Sequence, residues 1–263
     1  MLTFPNIDPV AIHIGSFGIR WYSLAYMAGI LLGWWVIASE NKRNVLKNLT
    51  KNAFDDMVVW AVLGIVLGGR LGHVFFYDPL HYIDNPLEIF KVWEGGMSFH
   101  GGLIGTITAF FLFSRKYKIN FLALMDLIAC AAPIGLFFGR IANFINGELF
   151  GRVTDASIGM IFPNGGDLPR HPSQLYEAGT EGLLLFIIMM WLLKKTPARN
   201  KVGYLSGMFL ILYSMARIIC EFFREPDFMV SFLNIEISAG QLLSLPMLVI
   251  GLYLVLRKQN VTA

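Results

Sequence analysis

Charged side chains are scarce in this sequence. Asp, Glu, Lys and Arg make up 15% of its 263 residues, and 56% are hydrophobic, whereas soluble domains average about 25% charged residues. The apolar residues form long uncharged runs instead of alternating with polar ones, which excludes an ordinary soluble domain and disfavours a porin-type barrel. The composition therefore predicts an all-α polytopic membrane protein.

The sequence also lacks a strong charge bias and a cysteine framework. Its 21 basic and 18 acidic residues leave a formal net charge of +3, which is too small to indicate a nucleic-acid partner. Cys130 and Cys220 lie inside apolar runs without a CxxC spacing, and no His, Asp or Glu cluster has metal-ligand spacing. We therefore expect no disulfide, no metal and no cofactor.

Seven apolar runs are long enough to cross a membrane as helices. They lie at about 22–38, 57–76, 97–113, 121–138, 175–193, 204–223 and 237–256. The fifth is the least regular, because Glu177 and Glu181 stand at its start and its uninterrupted part is short enough for a re-entrant segment. We expect one membrane domain over residues 1–263 with seven spans.

Basic residues are unevenly divided between the segments that connect these runs. Most follow spans 1, 3 and 5 or lie in the tail: Lys42, Arg43, Lys47, Lys51, Arg115, Lys116, Lys118, Lys194, Lys195, Arg199, Lys201, Arg257 and Lys258. By the positive-inside rule, the N-terminus faces outward and the C-terminus faces the cytoplasm. The opposite segments are 77–96, 139–174 and 224–236. Residues 139–174, here called the cap segment, are rich in Gly and Pro turns and predict a small outward cap.

Three charged residues share one face of the sixth span. Arg217, Glu221 and Arg224 are spaced i, i+4 and i+7, with Tyr213 one turn earlier. They form either a self-neutralising ladder that holds the bundle together or a net positive site aimed at an anion. Ionisable groups within a membrane are functional candidates by default.

Other polar residues interrupt the apolar runs. His100 follows Gly95, Gly96 and Ser98 at the start of the third span, where it is either a structural hydrogen-bonding residue or a base. The glycines around it indicate close helix packing. Asp126, near the cytoplasmic end of its run, is expected to be structural, whereas Arg70 and His73 fit either role.

The segment where the fourth span meets the outer face carries the strongest signal. Arg140, Asn143, Asn146 and Glu148 fall within one short amphipathic stretch, and their donors suit phosphate oxygens or glycerol hydroxyls. The alternative is an interfacial capping segment. A second donor-rich group, 171–177, leads into the fifth span.

Five motifs, in order along most of the chain, closely resemble the bacterial prolipoprotein diacylglyceryl transferase family. They are Arg20-Trp21-Tyr22, His100-Gly101-Gly102, Gly139-Arg140-x-Ala142-Asn143-Phe144-x-Asn146-x-Glu148-x-x-Gly151, His171-Pro172-x-Gln174-Leu175-Tyr176-Glu177, and Arg217-x-x-x-Glu221-Phe222-x-Arg224-x-Pro226-Asp227. One departure is Ser214, where the family often carries glycine.

The resemblance implies a seven-helix transferase of the bacterial cytoplasmic membrane, active on its outer side. Such enzymes move the diacylglyceryl group of phosphatidylglycerol to the thiol of a preprolipoprotein lipobox cysteine and release glycerol phosphate. Matched residue by residue, the resemblance implies that Arg140 binds phospholipid and that Arg217 is the second essential arginine. The family's important tyrosine, histidine, asparagine and glycine match Tyr22, His100, Asn143 and Gly151.

From these residues we expect a catalytic group and a substrate-binding group. The catalytic candidates are His100, Arg140 and Arg217. The substrate-binding candidates are Tyr22, Arg140, Asn143, Asn146, Glu148, Gly151, Tyr213, Glu221 and Arg224.

Three other functions remain open from the residues alone. An anion transporter would also use intramembrane arginines, but it predicts broken helices and an internal repeat, which the sequence does not show. A phospholipid-binding scaffold would need the same arginines and form no product. A metal-dependent lipid phosphatase is disfavoured because ligand spacing is missing.

Overall fold

The computed structural model describes residues 2–15, 17–42, 46, 49–226, 228–232 and 235–258. Arg43, Lys47 and Asp227, which entered the charge pattern and the last motif, lie outside the described residues. The chain divides into two compact units, one formed by residues 1–37 with 125–263 and the other by residues 38–124. Each unit is described by itself below.

All seven apolar runs are helical in the described part of the chain. The long helices are α1 (Trp21–Asn41), α2 (Lys51–Phe76), α4 (Phe99–Lys116), α5 (Phe121–Ile145), α6 (Ser173–Lys195), α7 (Tyr204–Cys220) and α8 (Ala239–Leu256), and a short helix α3 spans Pro79–Asp84. Short 3₁₀ turns occupy Pro86–Phe90, Val92–Glu94 and Pro197–Asn200. The fifth run is one continuous helix of 23 residues, so its acidic start does not break it.

Two short hairpins accompany the helices. Strands β1 (Val10–Ile14) and β2 (Phe17–Arg20) pair antiparallel just before α1. Strands β3 (Met229–Phe232) and β4 (Ile235–Ser238) pair in the same way just before α8. The apolar runs did not predict these hairpins, because their strands are short and only the end of β4 overlaps a membrane-length run.

Five of the described helices, α1, α2, α5, α6 and α8, are long and apolar enough to cross a membrane. Helix α7 is apolar but has 17 residues, and α4 begins beside His100 and ends on Arg115 and Lys116. The predicted class, a mainly helical multi-pass membrane protein, is confirmed.

Glycines bring α2 and α4 into direct backbone contact. A methyl group added to Gly68 would lie 2.7 Å from Gly105 Cα, and one added to Gly101 would lie 2.8 Å from Gly72 Cα. Real carbon atoms do not approach so closely, so these positions must be glycine for the helices to pack this way. The close packing indicated by the glycines is confirmed.

Arg70 organises the chain between α2 and α4. It is buried, and its guanidinium donates hydrogen bonds to the carbonyl oxygens of Ile89 at 2.8 Å, Gly95 at 2.7 Å and Gly96 at 3.2 Å, and also to that of Glu88. Its charge satisfies backbone acceptors that a loop would otherwise leave unpaired. The structure thus gives Arg70 a structural role.

Asp126 caps the beginning of α7. Its carboxylate accepts hydrogen bonds from the backbone N–H of Gly203 at 2.6 Å and Ser206 at 2.7 Å, and from the Ser206 hydroxyl at 2.7 Å. These are backbone groups that a helix start leaves without intrahelical partners. The expected structural role of Asp126 is confirmed.

The irregular part of the cap segment begins further along the chain than the sequence predicted. Helix α5 continues to Ile145, so residues 139–145 are helical and the irregular part begins at Asn146. Beyond it, Met160 and Phe162 pack with Phe144 in a small core that also contacts Phe4 and Phe150. The segment therefore has its own hydrophobic cluster, closed by the N-terminal residues, as Leu2 donates to the Gly159 carbonyl at 3.0 Å.

Candidate active site

A cluster of six charged side chains lies where α5, α6 and α7 meet. Helix α5 supplies Arg140, α6 supplies Glu177 and Glu181, and α7 with the turn after it supplies Arg217, Glu221 and Arg224. We call these six residues the charge cluster. All six belong to the unit formed by residues 1–37 and 125–263.

Helix α6 reaches the cluster through an unusual turn. Residues Ala178–Leu184 have π-helical hydrogen bonding, between regular α-helical segments on both sides. Such turns are rare and are frequent at functional sites. Glu177 precedes the π-helical turn and Glu181 lies within it, and both carboxylates face the arginines.

Glu177 contacts all three arginines. Its Oε2 lies 2.8 Å from Arg140 Nε, and its Oε1 lies 3.1 Å from Arg217 Nη1 and 3.4 Å from Arg224 Nη1. The side chain is fully buried, with 0% exposure. One carboxylate on α6 thus forms ion pairs with α5, α7 and the turn after α7, and those to Arg217 and Arg224 are charge-assisted hydrogen bonds.

The other two carboxylates have fewer contacts. Glu181 lies 3.4 Å from Arg140 Nη2 and 3.6 Å from Arg217 Nη1. Glu221 forms a close ion pair with Arg217 and a longer one, at 3.9 Å, with Arg224 Nε. Each of the three carboxylates has one buried oxygen without a hydrogen-bond partner among the described residues: Glu177 Oε2, Glu181 Oε1 and Glu221 Oε2.

The formal charge of the cluster is zero, since three arginines face three glutamates. Of the two alternatives left open for the sixth span, the ion pairs favour the neutral one: Glu221 bridges Arg217 and Arg224, and Glu177 and Glu181 balance the remaining charge. From sequence, Glu177 was identified as the end of a family motif and Glu181 only as an interruption of an apolar run. Their placement inside a predicted membrane span was itself a signal of a buried partner.

The arginines retain donors that these ion pairs do not use. Among the described contacts, Arg140 Nη1 and Arg217 Nε take part in none of the cluster's ion pairs. Arg140 is 17% exposed and Arg217 is 11% exposed, so both guanidinium groups reach the edge of the buried region. An anion that arrives there meets a planar donor fork on each side chain.

The asparagines of the signature segment form a separate polar group. Glu148 Oε1 accepts from Asn143 Nδ2 at 2.8 Å and from Asn146 Nδ2 at 3.4 Å. Gln174 Nε2 donates to the Glu148 carbonyl at 2.6 Å, which ties α6 to this turn. Glu148 therefore orients asparagines, not an arginine, in the part of the chain that the structure describes.

Gly151 lies at a crossing of three backbone segments. Its N–H donates to the His171 carbonyl at 2.8 Å, and a methyl group added to it would lie 2.6 Å from His171 Cβ. Burial lowers the pKa of His171. The structure thus gives Gly151 a close-packing requirement, and its substrate contact stays a prediction.

The two candidate tyrosines have different settings. Tyr213 stacks on Phe209 with ring centroids 5.8 Å apart and lies within electrostatic reach of Arg140 and Arg217. Tyr22 lies in the first turn of α1, where its ring packs against Tyr26 at 5.1 Å. Tyr213 therefore borders the charge cluster, and the role of Tyr22 rests on the family resemblance.

His100 belongs to the other unit, residues 38–124. It is exposed and lies in the first turn of α4, where the Ser98 hydroxyl accepts the Gly101 N–H at 3.2 Å. Its ring packs edge-on against Phe99, with centroids 5.5 Å apart. Its role as a base stays a prediction.

An apolar groove opens beside the charge cluster. It has a volume of about 260 Å³ and is lined by residues of α1, α5 and α6, including Trp35, Phe137 and Leu183. Phe137 precedes Arg140 by one helical turn, and Gly182 of the lining follows Glu181 directly. The site therefore combines buried cations with an adjacent surface suited to hydrocarbon.

Buried arginines next to an apolar groove in a multi-pass helical protein define a membrane protein that handles an anionic amphiphile. The family model described as "Prolipoprotein diacylglyceryl transferase" matches residues 9–257. The chain belongs to this family.

Relatives of similar length support the assignment. A Rickettsia felis protein is 54% identical over 254 residues, covering 97% of this chain and 98% of the relative. A Paramagnetospirillum magneticum protein is 54% identical over 96% of this chain and 94% of the relative. One from Rickettsia bellii is 50% identical over 98% of both. Each is named phosphatidylglycerol–prolipoprotein diacylglyceryl transferase.

Proposed function

We propose that this protein transfers the diacylglyceryl group of phosphatidylglycerol to the lipobox cysteine of a prolipoprotein, the first step of bacterial lipoprotein maturation. The observation that carries the proposal is the convergence of Arg140 and Arg217 on shared carboxylates in one buried cluster. These are the two arginines that the family resemblance makes essential. Full-length relatives carry the corresponding name.

The reaction is a substitution at a glycerol carbon. The cysteine thiolate attacks C3 of the diacylglyceryl group, a C–S bond forms, and the C–O bond to phosphate breaks. Glycerol phosphate leaves with the bonding electron pair, and the thiol proton passes to a base, for which His100 is the candidate. The reaction needs no cofactor to balance.

Leaving-group stabilisation is the more demanding part of this reaction. A thiol of pKa about 8.5 is a few per cent ionised at pH 7, so complete deprotonation costs about 2 kcal/mol. Enzymes commonly lower barriers by about 8 kcal/mol or more. Most of the rate enhancement therefore has to come from positioning and from cations on the departing phosphate, which are strongest where water is excluded.

The residues of the site can supply both the cations for the leaving phosphate and the contacts that position the lipid. Arg140 and Arg217 bind the phosphate as forked donors, and Tyr213, Glu221 and Arg224 border and orient them. Asn143, Asn146 and Glu148 bind the hydroxyls of the glycerol headgroup. The groove beside Phe137 takes hydrocarbon from the same lipid, because a bound phosphate at Arg140 would hold an acyl chain within reach of it.

The membrane arrangement is part of the proposal. All seven long helices cross the cytoplasmic membrane in one domain, with the N-terminus outside and the C-terminus in the cytoplasm. The active site and the cap segment then face outward, where a lipobox segment emerges after export. The positive-inside distribution of lysine and arginine supports this orientation.

The test is an assay of the purified protein in detergent with phosphatidylglycerol and a synthetic lipobox peptide. Peptide mass and released glycerol phosphate are followed together, for the parent protein, Arg140→Ala and Arg199→Ala. Arg199 is an exposed arginine outside the cluster, so it controls for loss of a positive charge. We expect a diacylglyceryl mass gain with the parent and Arg199→Ala and none with Arg140→Ala.

The opposite result has a specific meaning. Phospholipid bound without any change in peptide mass would favour a non-catalytic scaffold. Movement of an anion across proteoliposomes, again without product, would favour a transporter. Either outcome would refute the transferase proposal.

A further inference from the structure

The charge cluster is already neutral before any substrate arrives. Its three glutamates and Arg224 are buried, and Arg140 and Arg217 are only 17% and 11% exposed. A phosphodiester that joins them adds a negative charge to a site with no surplus of positive charge. Two carboxylates and a phosphate also compete for the same guanidinium edges, so one ion pair has to give way.

We infer that Glu181 is the carboxylate displaced by the substrate phosphate, whereas Glu177 remains in place and holds the arginines. This inference rests on the proposed function and assigns roles to two residues of the same site. It divides the α6 carboxylates into a fixed anchor and a placeholder for phosphate.

The contacts of Glu177 are those of an anchor. It forms ion pairs with all three arginines, at 2.8 Å, 3.1 Å and 3.4 Å, and accepts hydrogen bonds from Arg217 and Arg224 through Oε1. Displacing it would leave all three arginines without their shared partner. A fully buried carboxylate with this many partners is costly to move.

The contacts of Glu181 are those of a placeholder. It bridges the same two arginines that the phosphate needs, but at 3.4 Å to Arg140 Nη2 and 3.6 Å to Arg217 Nη1. One oxygen of each side chain, Glu181 Oε1 and Glu177 Oε2, lacks a hydrogen-bond partner among the described residues, so the two carboxylates differ in the number and length of their ion pairs. Two phosphate oxygens spanning Arg140 and Arg217 would occupy the position that the Glu181 carboxylate now holds.

The backbone around Glu181 limits the change to its side chain. A methyl group added to the next residue, Gly182, would lie 2.7 Å from Phe137 Cα, so α6 and α5 are already in contact there. The helices have no room to approach each other. The carboxylate must therefore rotate away from the arginines or take up a proton when the phosphate binds.

The experiment compares Glu177→Gln with Glu181→Gln, because both substitutions remove one charge from the same helix and keep the side-chain shape. Steady-state kcat and KM for phosphatidylglycerol are measured, with inhibition by glycerol 3-phosphate as an independent measure of phosphate affinity. We expect Glu181→Gln to lower KM and the inhibition constant together, each at least threefold. We expect Glu177→Gln to lower kcat at least tenfold.

Aspartate variants and unfolding measurements distinguish an effect of the carboxylate charge from an effect on folding. Glu181→Asp restores the competing charge, so its KM should return towards that of the parent. Thermal unfolding of every variant is recorded in the same detergent. If Glu177→Gln does not fold, Glu181→Gln and Glu181→Asp still decide whether phosphate displaces the Glu181 carboxylate. Glu177→Asp then replaces Glu177→Gln as the test of the anchor.

The results that would overturn the inference are distinct from failure of the proposed function. An unchanged or raised KM in Glu181→Gln, with an active parent, would refute displacement. Equal kcat losses in both glutamine variants would refute the division between anchor and placeholder. A parent protein that forms no product at all would instead refute the transferase assignment.

Discussion

At the scale of single residues, the arginines of this protein are defined by their partners. Arg217 alone contacts three carboxylates, and Glu177 alone contacts three guanidinium groups. Removing one member of such a buried set strands a charge, which typically costs about 3–5 kcal/mol. Losses of activity in this cluster therefore have to be measured together with stability, because both depend on the same contacts.

Gly151 gives a prediction at this scale that does not involve charge. Its added methyl group would overlap the backbone and Cβ of His171, so we expect Gly151→Ala to destabilise the protein by about 1–3 kcal/mol. Thermal unfolding in detergent measures this. Gly135→Ala is the control, since a methyl group there meets no atom within 4 Å; equal unfolding temperatures for the two variants would contradict the packing role.

Four of the six residues of the charge cluster were singled out from sequence, but their pairing was not predictable. Arg217 and Glu221 stood out because charges are unfavourable inside an apolar run, Arg224 by its helical spacing from them, and Arg140 by the donor-rich segment around it. The partners of Arg140 come from α6, 37 and 41 residues further along the chain, and local spacing carries no information about such contacts. Arg70 stayed undecided for the same reason, because its partners are backbone carbonyls in a loop.

At the scale of elements, helix positions followed directly from hydropathy. Each of the seven apolar runs corresponds to a helix. The helix ends differ from the ends of the runs by several residues where the helix continues through polar residues, as α5 does on its way to Ile145. The π-helical turn at Ala178–Leu184 was not predictable, because no sequence period marks it. The hairpins before α1 and α8 were missed because their strands are short.

The α2–α4 pair gives a prediction for an element. Gly101 and Gly102 are neighbours, but a methyl group on Gly101 would overlap Gly72 Cα, whereas one on Gly102 would lie 3.5 Å from the nearest atom. Gly101→Ala should therefore destabilise the unit by about 1–3 kcal/mol, and Gly102→Ala should have a much smaller effect. Unfolding temperatures measure both, and a larger loss for Gly102→Ala would show that the helices pack differently.

At the scale of the whole molecule, the proposed orientation in the membrane relates the distribution of basic residues to the proposed transfer reaction. The basic segments and the cap segment lie on opposite sides if every long helix crosses the membrane. The lipid headgroup and the exported lipobox then meet the site from the same side. If one of the long helices did not cross the membrane, the lipid headgroup and the lipobox would no longer meet the site from the same side.

Thiol labelling tests this orientation. Asp167 and Lys201 are exposed, and the natural cysteines, Cys130 and Cys220, are buried. We expect a membrane-impermeant thiol reagent to label Asp167→Cys in intact cells and Lys201→Cys only after permeabilisation. The reverse pattern would place the cap segment in the cytoplasm.

The central claim is that phosphate stabilisation by arginine outweighs proton removal from the thiol. The gain from any base is limited, since complete ionisation of a thiol of pKa about 8.5 raises its thiolate concentration at pH 7 only about thirtyfold. Thiolate increases as pH rises towards that pKa, so the loss caused by removing a base should shrink in the same range. An arginine on a departing phosphate has no such substitute, and comparable arginines contribute about 10³-fold or more.

The most direct measurement is the transfer rate of Arg140→Ala, Arg217→Ala and His100→Ala between about pH 6.5 and 9, from about two units below the thiol pKa to about half a unit above it. The account predicts that both arginine variants lose about 10³-fold or more at every pH. It predicts that His100→Ala loses at most about thirtyfold at pH 7 and recovers as pH rises. A His100 variant inactive at every pH, beside an arginine variant that still transfers, would contradict it.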